Sequence, residues 1–208
     1  GASIAATYKV VLDISRDSRM GRQGETYGED PTLAAAMGTA YTRGIQERER
    51  CDGLKAEAEA KQFLGFHNSL GGIHGAESLI PPRLLEEVYG KPFQAAIAEA
   101  NLHGVMPCYC TFDGEAASSS RRMLTDLLRE EMGFEGLSVS DYSAIENQYN
   151  IQGLYESRTE AGLRSMEAGM DMEWPAKSCY NDELKQRFAD GKADVAGLGA
   201  MGGGMSSA

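Results

Sequence analysis

Short β-prone runs alternate with helical stretches along most of this chain, and that alternation restricts the fold more than any other feature. Residues 8–14 (YKVVLDI) read as a strand. So do the apolar end of residues 54–66 (KQFLGF, after a polar approach, KAEAEA), residues 104–109 (GVMPCY), the LSVS run ending at Asp141, and residues 169–174 (GMDMEW). Between them, residues 32–47, 121–132, 159–168 and 181–190 carry apolar positions at helical spacing. Pro81 and Pro82 open a further helix through LLEEVYGKPFQAAIAEA, which Gly90 and Pro92 weaken or kink. Strands that alternate with crossover helices pair in parallel and carry the helices on their faces. The expected fold is therefore α/β, a partial or complete (β/α)8 barrel with parallel strands. Pro107 is awkward inside a central strand, so the strand that holds it should be short and bent.

A full barrel of this kind takes about 250 residues, and this chain has 208. The expected division is a barrel domain over 1–195, short of its first strands and of its last, and a Gly/Ser-rich tail over 196–208 (AGLGAMGGGMSSA). A net charge of −11 argues against nucleic acid or an anionic membrane as partner, since both recruit basic surfaces. No apolar run is long enough to span a bilayer. The opening GASIAATYK lacks the regions of a signal peptide, as a mature secreted chain also would, so cytoplasmic and secreted locations both stay open. Cys51, Cys108, Cys110 and Cys179 are too few for a disulfide scaffold and are not spaced as a zinc site. Cys108 and Cys110 share one face of an expected strand, as packing or pocket-wall residues.

The stretch Gly133 to Asn147, GFEGLSVSDYSAIEN, carries the chemistry. In a parallel α/β sheet the C-terminal lip of the strands is where loops converge on one crevice, and Asp141 falls on that lip. Asp141 reads equally well as the cap of a helix beginning near Ser143. SVSDYSAIEN, preceded by LTDLLREEMGFEGL, closely resembles the nucleophile segment of glycoside hydrolase family 3, the β-glucosidase and β-xylosidase family. The resemblance runs from about Val11 to about Asp194. It implies a retaining glycoside hydrolase that releases terminal β-linked, glucose-like sugars, with Asp141 as the nucleophile and no metal or organic cofactor.

The same resemblance nominates further residues. Arg22, in RDSRMGRQGETYGEDP, matches the arginine that reaches a sugar hydroxyl, with Ser18 and Met20 replacing a Pro and a Trp of the family pattern. Read from the residues alone, an arginine here forms a loop salt bridge to Glu25 or Asp30, a reading that suits Arg19 better than Arg22. Lys61 and Gln62 stand where the family has Lys-His as sugar ligands, and Gln62 is a departure. By composition, a lysine at a strand start is more often solvated. Met106 and Tyr109 match a Val-Met-x-x-Tyr-Asn segment, with Met on the pocket floor, Tyr beside the nucleophile, and Cys110 in place of Asn. Tyr142 takes the place of a stacking aromatic, and Trp174 follows Glu173 near the barrel mouth. His67 and His74 flank HNSLGGIH; one family branch uses a loop His as acid/base, but its Asp-Ser-His is lacking here, so one or both are expected to be structural loop residues.

The general acid is expected to be a Glu from a following domain, since nothing in the resemblance gives Glu146 or Glu173 that role. The implied partner is a β-glucoside or oligosaccharide, and a homo-oligomer is compatible with the sequence. Two rival classes remain. One is a non-catalytic sugar-binding or assembly subunit on the same fold, suggested by Gln62, Cys110 and the missing acid. The other is an aldolase or phosphate-binding lyase, which would need a late phosphate loop and a Schiff-base lysine; GLGAMGGGM has glycines without strand–helix context.

Overall fold

A computed structural model describes residues 4–47 and 55–193. Cys51, the first residue of the expected strand 54–66, and the tail 196–208 lie outside the described residues. Four parallel strands form the main sheet: β1 (Ile4–Val11), β2 (Lys55–Phe63), β3 (Gly104–Pro107) and β6 (Leu137–Ser138), in that spatial order. Each strand pairs with the next one along the main chain, as in the wall of a (β/α) barrel. A further segment joins through one bridge, Val139 to Met172, supported by Ser140 N–H to Met172 O at 2.9 Å. The strand expected over 169–174 is thus reduced to a single bridge.

The helices follow the alternation: α1 (Pro31–Gln46), α2 (Pro82–Leu84), α3 (Lys91–Ala100), a long helix over Arg122–Glu131, α4 (Ala144–Asn150), α5 (Arg158–Glu167) and α6 (Asp182–Ala189). Asp30 caps α1 by accepting from Thr32 N and Leu33 N, and Pro31 occupies a position that needs no donor. The expected break near Gly90 takes the form of a wider turn. Leu85–Tyr89 is a π-helix, with Gly90 N–H donating to Leu85 O. The helix Arg122–Glu131 is wound the same way, with Met132 N–H donating to Leu127 O.

Two corrections concern strands. KAEAEA is part of β2 rather than a polar approach to it. Its period of two puts Ala56, Ala58 and Ala60 on the buried side, while Glu59 pairs with Lys9 of β1 and Glu57 with His103. The small alanines leave room for close helix packing. Just past β1 the approach is tighter still, because a Cβ on Gly38 of α1 would stand 2.1 Å from Leu12 Cδ2. The second correction is a hairpin: β4 (Thr111–Phe112) and β5 (Glu115–Ala116) pair antiparallel around Asp113 and Gly114, both at positive φ. That Asp-Gly pair is a primed-turn signal, hidden by the shortness of its strands.

One core faces the helices, with Val10, Leu12, Ile14, Phe63, Phe66, Phe93, Val105, Leu124 and Leu128 among its members. Phe63 and Phe93 meet edge to face, centroids 5.1 Å apart. The expected strand 8–14 lies earlier, at Ile4–Val11, and the residues after it turn into the core. Asp13 is fully buried there and accepts from Gly65 N (2.7 Å), His67 N (2.9 Å) and His67 Nδ1 (2.8 Å). The expectation of a structural His67 holds. Cys108 and Cys110 are fully buried, their thiols directed at Leu64 O and Phe66 O, so both are packing residues. Pro107 closes β3, in keeping with a short strand.

Asp13→Asn should lower the unfolding free energy by about 3 kcal/mol or more, because a buried carboxylate that accepts three hydrogen bonds becomes an amide with a donor facing donors. Urea unfolding of the variant measures it; a loss under about 1 kcal/mol would mean that Asp13 does not hold the 65–67 turn.

Candidate active site

The residues nominated from sequence sit at the C-terminal lip of the sheet, each from a different segment. Arg22 lies in the loop after β1, Lys61 and Gln62 at the end of β2, Tyr109 just past β3, and Asp141 just past β6. The helix-facing side of the same strands is apolar.

Gln62 Nε2 donates to Asp141 Oδ2 at 2.5 Å, and Tyr142 N–H donates to Oδ1 at 2.7 Å. Tyr109 leans on the same turn, its hydroxyl donating to Tyr142 O at 3.0 Å. Burial, and next the Asp141 carboxylate, push the Tyr109 phenol above its ordinary range. Ser143 N–H donates to Trp174 O and Trp174 N–H to Ser140 Oγ, so Trp174 is tied to the Asp141 turn on both sides. Tyr142 and Trp174 are both exposed, at 62% and 50%. Helix α4 does begin just after Ser143, but Ser143 has a left-handed backbone and makes no side-chain cap, and Asp141 O accepts from Ala144 N. The Asp141 side chain is therefore used by Gln62 and Tyr142 N rather than as a helix cap.

A second group centres on Glu25. Arg22 grips it with two bonds, Nε to Oε1 at 2.6 Å and Nη2 to Oε2 at 2.7 Å, and Lys61 Nζ stands 3.5 Å from Oε2. The Arg22 bonds, chiefly, hold the Glu25 carboxyl at about 2, so it stays ionised through ordinary pH. The same pairing raises Arg22 above its usual value. The guanidinium lies 5.3 Å from the Phe66 ring centre. Phe66 in turn meets His74 edge on at 5.1 Å, and the His74 ring stacks near Tyr109 at 6.4 Å. Burial, followed by the Arg22 charge, lowers the His74 pKa.

The salt bridge read from the residues alone is thus real for Arg22, while Arg19 pairs with Asp17 instead. Lys61 is part-buried and paired rather than solvated. Met106 is buried and stands in register with Lys61 on β3. Glu25 and Phe66 were not nominated from sequence. The i, i+3 spacing of Arg22 and Glu25 was a usable signal for the first; Phe66 had none, because its role depends on the Asp13 contact that bends the chain. Glu146 is bonded to Arg158 at 2.7 Å, and Glu173 accepts from Cys179 N and Tyr180 N, so neither is aimed at Asp141 as a proton donor. Two grooves lie elsewhere, one beside Glu86, Lys91 and Glu131, the other beside Leu79, Pro82 and Phe112. None of Arg22, Lys61, Tyr109 or Asp141 lines them.

Comparison with known proteins identifies the family of the chain. A beta-xylosidase of Formosa agariphila is 39% identical over 169 residues, covering 80% of this chain and 23% of that protein. A periplasmic beta-glucosidase of Salmonella typhimurium is 30% identical over 193 residues, covering 92% and 25%. The chain spans about a quarter of the length of these relatives. Among solved structures, the beta-glucosidase of Listeria innocua in complex with glucose superposes with a TM-score of 0.85 at 32% identity, over 94% of this chain and 27% of that one. The β-glucosidase EmGH1 of Erythrobacter marinus does so with the same score and identity, over 93% and 26%. Residues 2–198 match the glycosyl hydrolase family 3 N terminal domain, and the chain belongs to that family.

Proposed function

We propose that this chain forms much of the barrel of a retaining β-glycosidase that removes terminal glucose-like sugars from β-glucosides or oligosaccharides. The observation that carries the reading is Asp141, which follows β6 with its carboxylate bonded to Gln62 and with Arg22 and Tyr109 close by. One carboxylate oxygen attacks the anomeric carbon from the face opposite the leaving group, through an oxocarbenium-like transition state. The C1–O bond to the leaving group breaks as the bond to Asp141 forms, and the electron pair departs on oxygen. Water then releases the sugar with net retention. Arg22 and Lys61 offer donors to sugar hydroxyls, with Glu25 holding both in place. Tyr109 steadies the turn that bears Asp141, and Tyr142 offers a ring face to the apolar face of a pyranose. Met106 closes the floor. The chemistry needs no metal or organic cofactor.

Departure of an alkoxide needs a proton, and the retaining geometry sets the acid about 5–5.5 Å from the nucleophile. Glu25 stays ionised, and Glu146 and Glu173 have other partners. The family resemblance assigns the acid to a Glu of a following domain, and the engagement of these three carboxylates supports that assignment. The same fact favours a second reading, a barrel that binds sugar without hydrolysing it.

Activated substrates separate the two. A dinitrophenyl 2-deoxy-2-fluoro-β-glucoside needs no acid, so it should label Asp141 slowly and accumulate as an adduct located by mass spectrometry. This chain without any following domain should turn over unactivated β-glucosides negligibly, since general acid catalysis contributes roughly 10²–10⁴-fold. Labelling at another carboxylate would remove Asp141 as nucleophile, and no labelling in folded protein would favour the non-catalytic reading.

Arg22→Ala should raise the concentration of this reagent needed for half-maximal labelling by about 10–100-fold, through the loss of charged hydrogen bonds to the sugar. Unchanged saturation would confine Arg22 to its ion pair with Glu25.

A further inference from the structure

Gln62 entered as a sugar ligand, but its surroundings give it another task. It is 1% exposed, and its Nε2 donates to Asp141 Oδ2. Its Oε1 is buried and has no partner among the described residues. One Nε2 hydrogen is used on Asp141, and enclosure keeps the other away from a hydroxyl group arriving from solvent. Its neighbour differs: the Lys61 side chain is 17% exposed and turns toward Glu25. Two adjacent residues at the end of one strand thus serve different partners.

The geometry points to Gln62 as the positioning residue of Asp141, setting both the orientation of its carboxylate and the pH range over which it reacts. This inference rests on Asp141 being the nucleophile. Two uncharged donors hold the group, Gln62 Nε2 at one oxygen and Tyr142 N–H at the other. Together they define the carboxylate plane, and attack at carbon depends steeply on such alignment. An amide also donates without being able to take up the proton of its partner. A histidine or carboxylate in its place would bring a second titration into contact with the nucleophile. The other charged or titratable groups facing Asp141 are Arg22, Tyr109 and His74, with Glu25 and Lys61 behind Arg22. Arg22 keeps its charge, and Tyr109 is held well above neutrality, so neither changes state across neutral pH. Burial, followed by the Arg22 charge, pushes His74 downward.

The test uses the full natural protein and the same fluoroglucoside reagent with two variants. Gln62→Leu should slow the maximal labelling rate by about 10–100-fold while leaving the half-saturating concentration within about threefold. Gln62→Glu, of the same shape, makes a carboxylate pair that shares a proton, so the acid limb of the labelling profile should move up by about one pH unit or more. A raised half-saturating concentration with an unchanged maximal rate would make Gln62 a sugar ligand and overturn the proposal. So would a Gln62→Glu profile that superposes on the natural one. Carbodiimide modification of Asp141, followed by mass spectrometry across pH, reads the coupling without any turnover. If the natural protein fails to label at Asp141, the glycosidase reading fails. The Gln62 contact then stands only if Gln62→Glu extends carbodiimide modification to higher pH, and it falls if the two proteins are modified alike.

Discussion

A carboxylate sealed inside the core governs how the mouth of this sheet is built. Asp13 follows the first strand and receives three donors from the turn after the second. Buried charge is tolerable only with such partners. The contact bends residues 65–67 over the end of β1, and several placements follow from it. Phe66 comes beneath the Arg22 guanidinium, and Cys110 packs against Phe66 O. The strand end that carries Lys61 and Gln62 is thereby directed toward the lip rather than into the helices.

The lip separates two electrostatic tasks. Arg22, Glu25 and Lys61 form a cationic group whose charge is partly offset by one carboxylate. In an acidic chain this leaves donors at the mouth without a broad basic field. Asp141 instead meets uncharged donors from Gln62 and Tyr142 N–H, with Tyr109 fastening the turn behind it. In the proposed reaction, strong cations that donated directly to the carboxylate would stabilise its charge further and blunt its attack. The arrangement keeps Arg22 near enough to act through space while Glu25 takes its hydrogen bonds.

Two of the departures from the family pattern, Cys110 and Gln62, have different structural meanings. Cys110 points into the core, so the change from Asn concerns packing and not the mouth. Gln62 touches Asp141 and belongs to the mouth itself. Similarity to beta-xylosidases and beta-glucosidases covers most of this chain but about a quarter of each relative, and Glu146 and Glu173 are already engaged.

Local pattern was enough to reveal the class of fold. Alternating strand and helix segments, Asp30-Pro31 at the start of α1, and the placement of Asp141 after a short strand all depend on neighbours a few residues away, and periodicity records such relations. KAEAEA and the Asp113-Gly114 turn were legible in principle: the first alternates with a period of two, and the second is a turn dipeptide. Both were obscured because alanine is weakly β-prone and the hairpin strands are two residues long. Contacts between distant segments were a different matter. Nothing near Asp13 announces Gly65, nothing near Gln62 announces Asp141 across 79 positions, and nothing near Phe66 announces Arg22. The sequence by itself determined which residue types stand at the strand ends. Only tertiary structure decided which of them touch, because side chains that close different parallel strands meet through the sheet and not along the chain.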